Sequence, residues 1–207
     1  TLDIDGRNLY FPAYDTPVTN FGVAEGLDGE RSQRVFGKLS WSGWTVQGGW
    51  VERHKNVPTN PSRYTAFNTP YPTRDETAFL GVRHETDLGL QLSSSSSLML
   101  GRYAYGNTRE YALNEDGEYD EGEKYGVRDY RGGWWRLDQK FVGRWFADHT
   151  LVFGAEIRDD HRQSFGRRFL SPGGEVTYRD DAELSRRTFS LYVADDYRLN
   201  ERWTLNL

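Results

Sequence analysis

Three consecutive polar residues, Asp159, Asp160 and His161, could together do chemistry. A carboxylate beside an imidazole can activate water as a general base, so this cluster is a candidate for hydrolysis. The other three histidines are dispersed along the sequence, and no second acidic cluster pairs with this one. We therefore favour a simpler interpretation, in which a strand end frays here into a polar loop, and we do not expect an enzyme.

An acidic segment at positions 114–123, NEDGEYDEGE, suggests calcium, because hard cations take carboxylate oxygens as ligands. The segment lacks the order of an EF-hand loop, which needs glycine at its sixth position and glutamate at its twelfth. A solvated acidic loop is the better interpretation. If a metal does bind, we expect Asp116, Glu118 and Asp120 to be its ligands, and we expect no cofactor.

Aromatic and basic residues in long polar segments are candidates for recognising a small molecule, because loops on a rigid scaffold often carry binding residues. Arginines among them can hold an anionic chelate through paired hydrogen bonds. The candidates are Arg63, Tyr64, Phe67, Tyr71, Tyr111, Tyr119, Tyr125, Arg167, Arg168 and Tyr178. Ordinary loop packing or contact with lipopolysaccharide is the competing explanation for each of them.

The segments that carry these residues alternate with a period of two, which is typical of β-strands. Leu151, Phe153, Ala155 and Ile157 share one face, and the residues between them share the other. Residues 34–41, 44–51 and 191–199 alternate in the same way, with Asp195 as an exception on its apolar face. No segment has a convincing helical stripe, so the predicted fold is all-β.

The composition agrees with a β-protein and excludes several classes. Aromatic residues make up 15% of the chain, and 22 glycines supply turns. The mean hydropathy is -0.81, and no window approaches the roughly 20 apolar residues of a membrane helix. The absence of cysteine excludes disulfides, thiolate metal sites and a thiol nucleophile, and a net charge of -5 gives no reason to expect nucleic acid.

Short and long connections alternate along the chain. Tight turns are predicted at Ser42 and Gly43, near residues 146–149, and at Asn200 and Glu201, with a fourth at residues 87–89 or inside the serine run 93–97. Long polar connections are predicted at residues 13–29, 56–74, 108–130 and 165–184. Strands of about 10 to 14 residues joined in this order are typical of an outer-membrane barrel, which has short periplasmic turns and long extracellular loops.

Tryptophans flank the short turns on the apolar face, where amphipathic rings would form a girdle at the membrane interface. These membrane-interface aromatics are Trp41, Trp44, Trp145 and Trp203. The opposite face carries frequent charges, such as Lys38, Arg83 and Glu156, which favours a hydrated or plug-filled lumen. The alternative is an ordinary soluble sandwich, such as a carbohydrate-binding protein, with its tryptophans packed inside.

About nine strands are predicted over residues 1–207, with the first and last incomplete. A closed bacterial barrel of one chain normally has an even number of strands, and an open sheet edge cannot lie in lipid. We therefore expect the chain to be an interior segment of a larger barrel, an antiparallel up-and-down meander. A small complete barrel, acting as a structural protein, adhesin or rim protease, is the alternative.

Three stretches resemble TonB-dependent outer-membrane receptors. They are LYVADDYRLNERWTLNL at residues 191–207, HTLVFGAEIRDD at residues 149–160, and the segment from LYFPAYD to GKLSW at residues 9–41. The last is similar to early barrel repeats of relatives of cobalamin and colicin receptors. The chain shows no TonB box, no glycine motifs of a plug domain and no C-terminal aromatic strand of that family.

The resemblance implies active uptake of a nutrient, such as a ferric siderophore or cobalamin, through a barrel of roughly 22 strands in the bacterial outer membrane. The implied partners are outer-membrane lipid and lipopolysaccharide, a small-molecule ligand, and a TonB-type energy-coupling protein that acts through a plug region absent from this chain. No residue of fixed chemical role in the family matches a position here.

Overall fold

A computed structural model describes residues 1–58, 67–113 and 122–207 and contains eleven strands. The strands are β1 (Leu2–Ile4), β2 (Leu9–Tyr10), β3 (Val23–Ala24), β4 (Glu30–Trp41), β5 (Trp44–Asn56), β6 (Pro72–Gly89), β7 (Leu92–Glu110), β8 (Tyr125–Gly143), β9 (His149–Leu170), β10 (Val176–Asn200) and β11 (Trp203–Asn206). Two short 3-10 helices, Pro12–Tyr14 and Pro17–Gly22, lie between β2 and β3. No helix in the described part of the chain is long and apolar enough to cross a membrane.

Nine of the strands form one antiparallel sheet in the order β1-β4-β5-β6-β7-β8-β9-β10-β11, while β2 and β3 pair separately. Each strand from β5 to β10 pairs with the strands before and after it in the sequence, and β4 pairs with β1 and β5, so the sheet is an up-and-down meander, as predicted. In the described residues β1 and β11 each have one neighbour in this sheet, and the sheet does not close on itself. The chain thus forms part of a larger transmembrane β-barrel.

The connections that follow β4, β6, β8 and β10, of two to five residues, lie at one end of the sheet, and those that follow β5, β7 and β9 lie at the other, where the connection after β9 has only five residues. The predicted turn at Ser42 and Gly43 is confirmed, and so is the turn that follows Asn200. The Asn200 side chain stabilises it by accepting hydrogen bonds from the backbone amides of Arg202 and Trp203, at 2.9 and 3.1 Å. The turn before β9 spans residues 144–148, close to its predicted place.

Neither predicted position of the fourth turn is right. The turn is made by Leu90 and Gln91, both in the left-handed region with φ of 51° and 59°. Two such residues give the turn type whose twist matches that of a hairpin, although glycine or asparagine usually occupies these positions. The serine run at 93–97 lies inside β7, where it pairs with both β6 and β8.

Strands β6 to β10 contain 18 to 25 residues and are longer than predicted. As a result, two predicted long connections are wrong: that at 108–130 narrows to residues 111–124, and that at 165–184 narrows to residues 171–175. Paired strands replace the rest. Beyond the membrane both faces of a strand meet water or polar groups, so the apolar alternation ends before the strand does.

The register gathers the apolar residues of successive strands on one face, here called the outer face. Its apolar band includes Val35, Leu39, Val46, Leu80, Leu100, Leu137, Phe153, Leu191 and Val193. Leu191 and Val193 are 73% and 76% exposed, so no second layer covers them in the described structure. The soluble-sandwich interpretation is therefore wrong, and the band faces lipid.

The opposite side of the sheet, here called the inner face, carries the charges predicted for the lumen. Lys38 lies opposite Gln47, and Arg136 forms an ion pair with Glu156 at 3.6 Å. The Tyr192 hydroxyl donates a hydrogen bond to Asp138 at 3.1 Å. Long polar side chains here bond to each other rather than to a core, as expected for a hydrated barrel interior.

Tryptophans lie on the outer face at both edges of the apolar band. Trp41, Trp44, Trp145 and Trp203 lie beside the short turns, and Trp50 and Trp135 lie at the other edge, where sequence analysis did not assign a girdle. Asp195, the exception on the apolar face, accepts a hydrogen bond from His149 Nδ1 at 2.6 Å, and the His149 ring stacks on Tyr197 at 4.4 Å. The bond gives one carboxylate oxygen of Asp195 a partner in a place where lipid would penalise the charge, while its Oδ1 has no hydrogen-bond partner in the described structure.

Candidate ligand-binding site

Three adjacent rows of residues line the inner face at the long-connection end of β7 to β10. We call them the inner wall. The first row is Tyr105, Tyr130 and Phe165; the second is Asn107, Arg128, Arg167 and Asp180; the third is Arg109, Gly126, Phe169 and Tyr178. Successive rows are two residues apart along each strand, or roughly 6.6 Å, so the wall is the size of a small ligand.

The first row is an aromatic stack across three strands. The rings of Tyr105 and Tyr130 are 5.6 Å apart, and those of Tyr130 and Phe165 are 5.2 Å apart, with interplanar angles of 14° and 16°. The Asn107 side chain donates a hydrogen bond to the Tyr105 hydroxyl at 2.9 Å. Cross-strand aromatic pairs of this kind contribute about 0.2–1 kcal/mol each and keep the ring faces in fixed positions.

The second row places two arginines directly opposite each other. Arg128 and Arg167 are register partners on β8 and β9. Arg167 donates hydrogen bonds to the Tyr178 hydroxyl at 3.1 Å and to Asp180 at 3.4 Å. Within the described residues Arg128 forms no ion pair. Like charges in opposite positions destabilise a sheet, so this row favours an added negative charge.

The third row contains a buried arginine. Arg109 is only 7% exposed, its guanidinium lies 5.5 Å from the centre of the Tyr71 ring, and its Nε has no partner within the described structure. A buried donor without a partner costs free energy, typically about 1–3 kcal/mol. The site thus retains hydrogen-bonding capacity that protein groups described here do not use.

Tyr111 lies next to the third row of the inner wall. Its hydroxyl lies over Gly126, where an added Cβ would be 2.7 Å away, so only glycine leaves room for the ring. Burial raises the pKa of the Tyr111 hydroxyl, and the negative charge of Glu123 adds to that change, although the positive charges of Arg109, Arg128 and Arg167 oppose it. The hydroxyl therefore remains protonated at neutral pH, and the three guanidinium groups lie within electrostatic reach of one point.

The inner wall carries groups that suit an anionic ligand. Guanidinium forks match carboxylate or other paired oxygen ligands, and aromatic faces stack on planar groups. Arg167 also lies over the rings of Phe169 and Tyr178, at 5.5 and 5.1 Å, which holds the guanidinium in place through cation–π contact. Among the described residues no group of acidic or histidine side chains could hold a metal ion.

A family model described as the β-barrel of TonB-dependent receptor-like proteins matches residues 7–207. The chain belongs to the TonB-dependent receptors. No curated protein and no solved structure matches the chain significantly. The family match agrees with the open meander and the apolar outer face.

Membership of the TonB-dependent receptors makes this chain part of a bacterial outer-membrane receptor and transporter. Members of this family carry small molecules and interact with TonB, and they move their ligands rather than convert them. The inner wall lies where the lumen of such a receptor opens toward the long extracellular connections.

The structure brings together four of the predicted ligand residues of this receptor: Tyr71, Tyr111, Arg167 and Tyr178. Arg168 and Tyr125 lie on the outer face instead, because each is one residue out of phase with an inner-wall position. The strands extend through both positions, whereas the sequence suggested loops without a fixed phase. These two residues therefore do not contribute to the inner wall.

Phe67 lies apart from the inner wall, because its ring stacks on Tyr14 at 4.9 Å and contacts Phe11 edge-on at 6.3 Å. The connection that carries Phe67 thus packs against the segment between β1 and β4. The remaining candidates lie outside the described residues: Arg63, Tyr64 and Tyr119 for the ligand, and Asp116, Glu118 and Asp120 for a metal.

Sequence analysis missed most of the inner wall of this receptor. The missed residues are Tyr105, Asn107, Arg109, Gly126, Arg128, Tyr130, Phe165, Phe169 and Asp180. Except for Tyr105 and Asn107, they lie in the parts of the strands that the sequence pattern assigns to long connections. A usable signal was present, because Tyr103, Tyr105, Asn107 and Arg109 alternate with smaller or oppositely facing residues in a period of two.

The Asp159–His161 cluster is not a fraying strand end but a β-bulge in the interior of β9, where the register shifts against β8 and β10. Asp160 points inward and binds Arg158 at 2.9 Å and Arg186 at 3.1 Å, while Asp159 points outward and binds Arg187 at 2.6 Å. Because both carboxylates are held by guanidinium groups, they are poorly placed to activate water.

Proposed function

We propose that this receptor takes up an anionic iron chelate, such as a ferric siderophore, and that the inner wall is part of its binding surface. One observation supports this above all: three arginines, Arg109, Arg128 and Arg167, act on the Tyr111 hydroxyl against one carboxylate, Glu123. Asp180 is the one carboxylate that forms an ion pair with any of the three in the described residues. An anionic ligand would supply the missing negative charge.

The aromatic first row supports the same class of ligand. The stacked rings of Tyr130 and Phe165 offer flat, rigid faces beside the arginines, and such faces suit the planar groups of a chelate. A neutral ligand would leave Arg128 and Arg167 facing each other without added counter-charge. Cobalamin, the other nutrient that the sequence suggests, therefore fits this wall less well.

In the proposed mechanism, the long connections capture the ligand and the inner wall holds it at the mouth of the lumen. A TonB-type partner then displaces a plug by force, which opens a path to the periplasm. The ligand crosses without chemical change, so the arginines act only through binding. Their contribution appears in the affinity of uptake rather than in a chemical step.

The test compares two neighbouring arginines that point to opposite faces. In the full receptor, Arg167→Gln together with Arg128→Gln removes two inner-wall charges, while Arg168→Gln removes one outer-face charge as the matched control. Uptake of radiolabelled ferric siderophores is measured in iron-limited cells, with labelled cobalamin as a parallel arm. We expect the double variant to raise the half-saturating siderophore concentration about tenfold or more, because each lost contact is charge-assisted.

The control should stay within about twofold of the parent in the same assay, since a lone surface charge contributes little. Receptor amount in the outer membrane is measured for each variant, so that a folding defect is recognised. Equal siderophore uptake by the double variant and its parent would contradict the proposal. Saturable uptake of cobalamin alone would reject the ligand class.

A further inference from the structure

The apolar band of the outer face has a polar interruption on β6, β7 and β8. Its members are His84, Thr86, Ser94, Ser96 and Gln139, and we call it the polar patch. Thr86 lies opposite Ser94, and His84 lies opposite Ser96. Ser96 also lies opposite Gln139, so the patch is continuous across the three strands.

The polar patch lies at the depth of the lipid hydrocarbon. On each strand, apolar residues of the outer face lie before and after it: Val82 and Leu88 on β6, Leu92 and Leu98 on β7, and Leu137 and Phe141 on β8. Trp135 and Trp145 mark the two edges of the apolar band, and Gln139 lies between them, about 13 and 20 Å away along the strand. The patch is therefore bracketed by lipid-facing residues rather than placed at the membrane surface.

The hydrogen bonds within the polar patch satisfy only part of it. The Gln139 amide donates to the Ser94 hydroxyl at 2.8 Å and accepts a hydrogen bond from the Ser96 hydroxyl. Within the described residues the side chains of His84 and Thr86 form no hydrogen bond, and the His84 ring contacts Trp44, with ring centres 4.3 Å apart. A polar group that lipid surrounds without a partner costs free energy. The patch therefore indicates a neighbour other than lipid.

The chemistry of the polar patch suits a second copy of the same patch. Hydroxyl, amide and imidazole groups each offer both donors and acceptors, and the patch contains no acidic residue, lysine or arginine. The same groups can therefore bond to each other across a twofold axis, as an isologous interface requires. A second copy also presents its patch at the same depth, because its apolar band and tryptophans hold it in the membrane in the same way.

The shape of the side chains favours close approach. Thr86, Ser94 and Ser96 are small, and the larger rings of Trp44 and Phe141 flank them in the same rows of the sheet. Lipid provides no hydrophobic driving force for association between membrane segments, which depends instead on close packing and on polar bonds between them. The polar patch offers both.

We propose that the polar patch is the centre of an interface between two copies of the receptor, related by a twofold axis along the membrane normal. Gln139 and Ser96 lie at the contact and bond to the same groups of the other copy. The outer face alone forms this interface, so it does not depend on which nutrient the inner wall binds.

The test measures self-association of the purified full receptor by sedimentation equilibrium in density-matched detergent micelles, over a range of protein-to-detergent ratios. Gln139→Leu removes the amide and keeps a side chain of similar size, while Ser96→Phe fills the patch and keeps the amide. Gln47→Leu is the matched control, because it makes the same substitution on the inner face of β5.

We expect the parent to form dimers, both patch variants to weaken the dimer about tenfold or more, and the control to stay within about twofold. Gln139→Leu should also leave the free energy of unfolding unchanged or higher, since leucine suits lipid better than glutamine. If Gln139 only holds the two serines in place, this variant will instead lower stability and leave association unchanged, which would overturn the proposal. A parent that stays monomeric at every ratio would overturn it as well.

Cross-linking in native outer membranes locates the contact. In a receptor otherwise free of cysteine, a short bismaleimide should join two copies of Ser96→Cys. It should not join two copies of Leu191→Cys, which lies in the same row but three strands away. Cross-linked dimers of Leu191→Cys and none of Ser96→Cys would contradict the proposed interface, and so would cross-linking of Ser96→Cys only to a different outer-membrane protein.

Discussion

Above the membrane, the inner and outer faces of β8 to β10 both carry arginines and acidic residues, but these residues are paired differently on the two faces. On the outer face arginines are paired along the strand with acidic residues two positions away, as in Arg131 with Asp129 and Arg179 with Asp181. On the inner face Arg128 and Arg167 face each other, with Asp180 as the bound carboxylate in the described structure. The outer face largely balances its charge, whereas the inner face gathers positive charge.

Within the membrane the two faces differ in polarity instead. Leu191 and Val193 face lipid, while the neighbouring Tyr192 bonds to Asp138 in the lumen. Alternate residues therefore form two distinct surfaces along the whole strand. In the membrane these surfaces differ in polarity, whereas above the membrane they differ in how far their charges are balanced.

The largest effect is expected for a charge in the apolar band. Leu191→Arg places a guanidinium in lipid and should lower the free energy of unfolding by about 2–4 kcal/mol. The matched variant Ser190→Arg points inward, opposite Glu156, and should change it by less than about 1 kcal/mol. Urea unfolding of the receptor in lipid vesicles measures both, and equal losses would refute the assignment of the two faces.

The bulge in β9 offers a second comparison, between two consecutive carboxylates. Asp160→Asn weakens bonds to two arginines at a side chain only 5% exposed, and should cost about 1.5–3 kcal/mol of unfolding free energy. Asp159→Asn affects bonds to a single arginine, Arg187, whose side chain is 73% exposed, and should cost less. The same unfolding measurement ranks them, and a larger loss from Asp159→Asn would contradict the inward orientation of Asp160.

Substitutions at two glycines compare how tightly side chains pack on the inner and outer faces. A Cβ at Gly101 would lie 2.3 Å from the Trp134 ring on the inner face, and Arg158 packs over that ring at 4.8 Å. Gly101→Val should therefore cost about 1–3 kcal/mol of unfolding free energy through overpacking. Gly37, in the apolar band, has nothing within 4 Å of an added Cβ, so Gly37→Val should be neutral or stabilising. Similar losses at both positions would argue against the packing described.

The smallest effect is expected where the outer face only balances charge. Asp129→Asn and Asp181→Asn each weaken one pair with a partly exposed carboxylate, 44% and 43% exposed. Exposed pairs contribute about 0–1 kcal/mol, so neither variant should change the unfolding free energy by more. A loss above about 2 kcal/mol would show that these pairs stabilise the barrel.

The sequence was sufficient to predict the fold wherever lipid imposes a pattern. Alternation in Leu151 to Ile157 and the polar turns at Ser42 and Asn200 indicated an up-and-down barrel, because one face must be apolar there. Above the membrane neither face of a strand has to be apolar, so the alternation does not mark the strand. Residues 165–184 were therefore predicted to be a loop, although most of them are paired. Leu90 and Gln91 escaped prediction because neither is a common residue for a left-handed turn.

The candidate site was only partly predictable for the same reason. Arg167 and Arg168 are chemically identical, and only the register of β9 assigns one to the lumen and the other to the outer surface. The bulge at Asp159 and Asp160 adds a residue that resets this phase, and nothing in the local sequence marks it. Once strand continuity is known, alternation locates Arg128 and Tyr130 directly.

The central claim, that alternate residues of β10 face lipid and lumen, can be tested most directly by spin labelling. The chain contains no cysteine, so single cysteines can be placed at residues 189–194 and labelled one at a time. We predict that labels at 189, 191 and 193 are accessible to dissolved oxygen, which concentrates in lipid, and that labels at 190, 192 and 194 are accessible to a water-soluble nickel chelate. The opposite phase, or no alternation, would contradict the account.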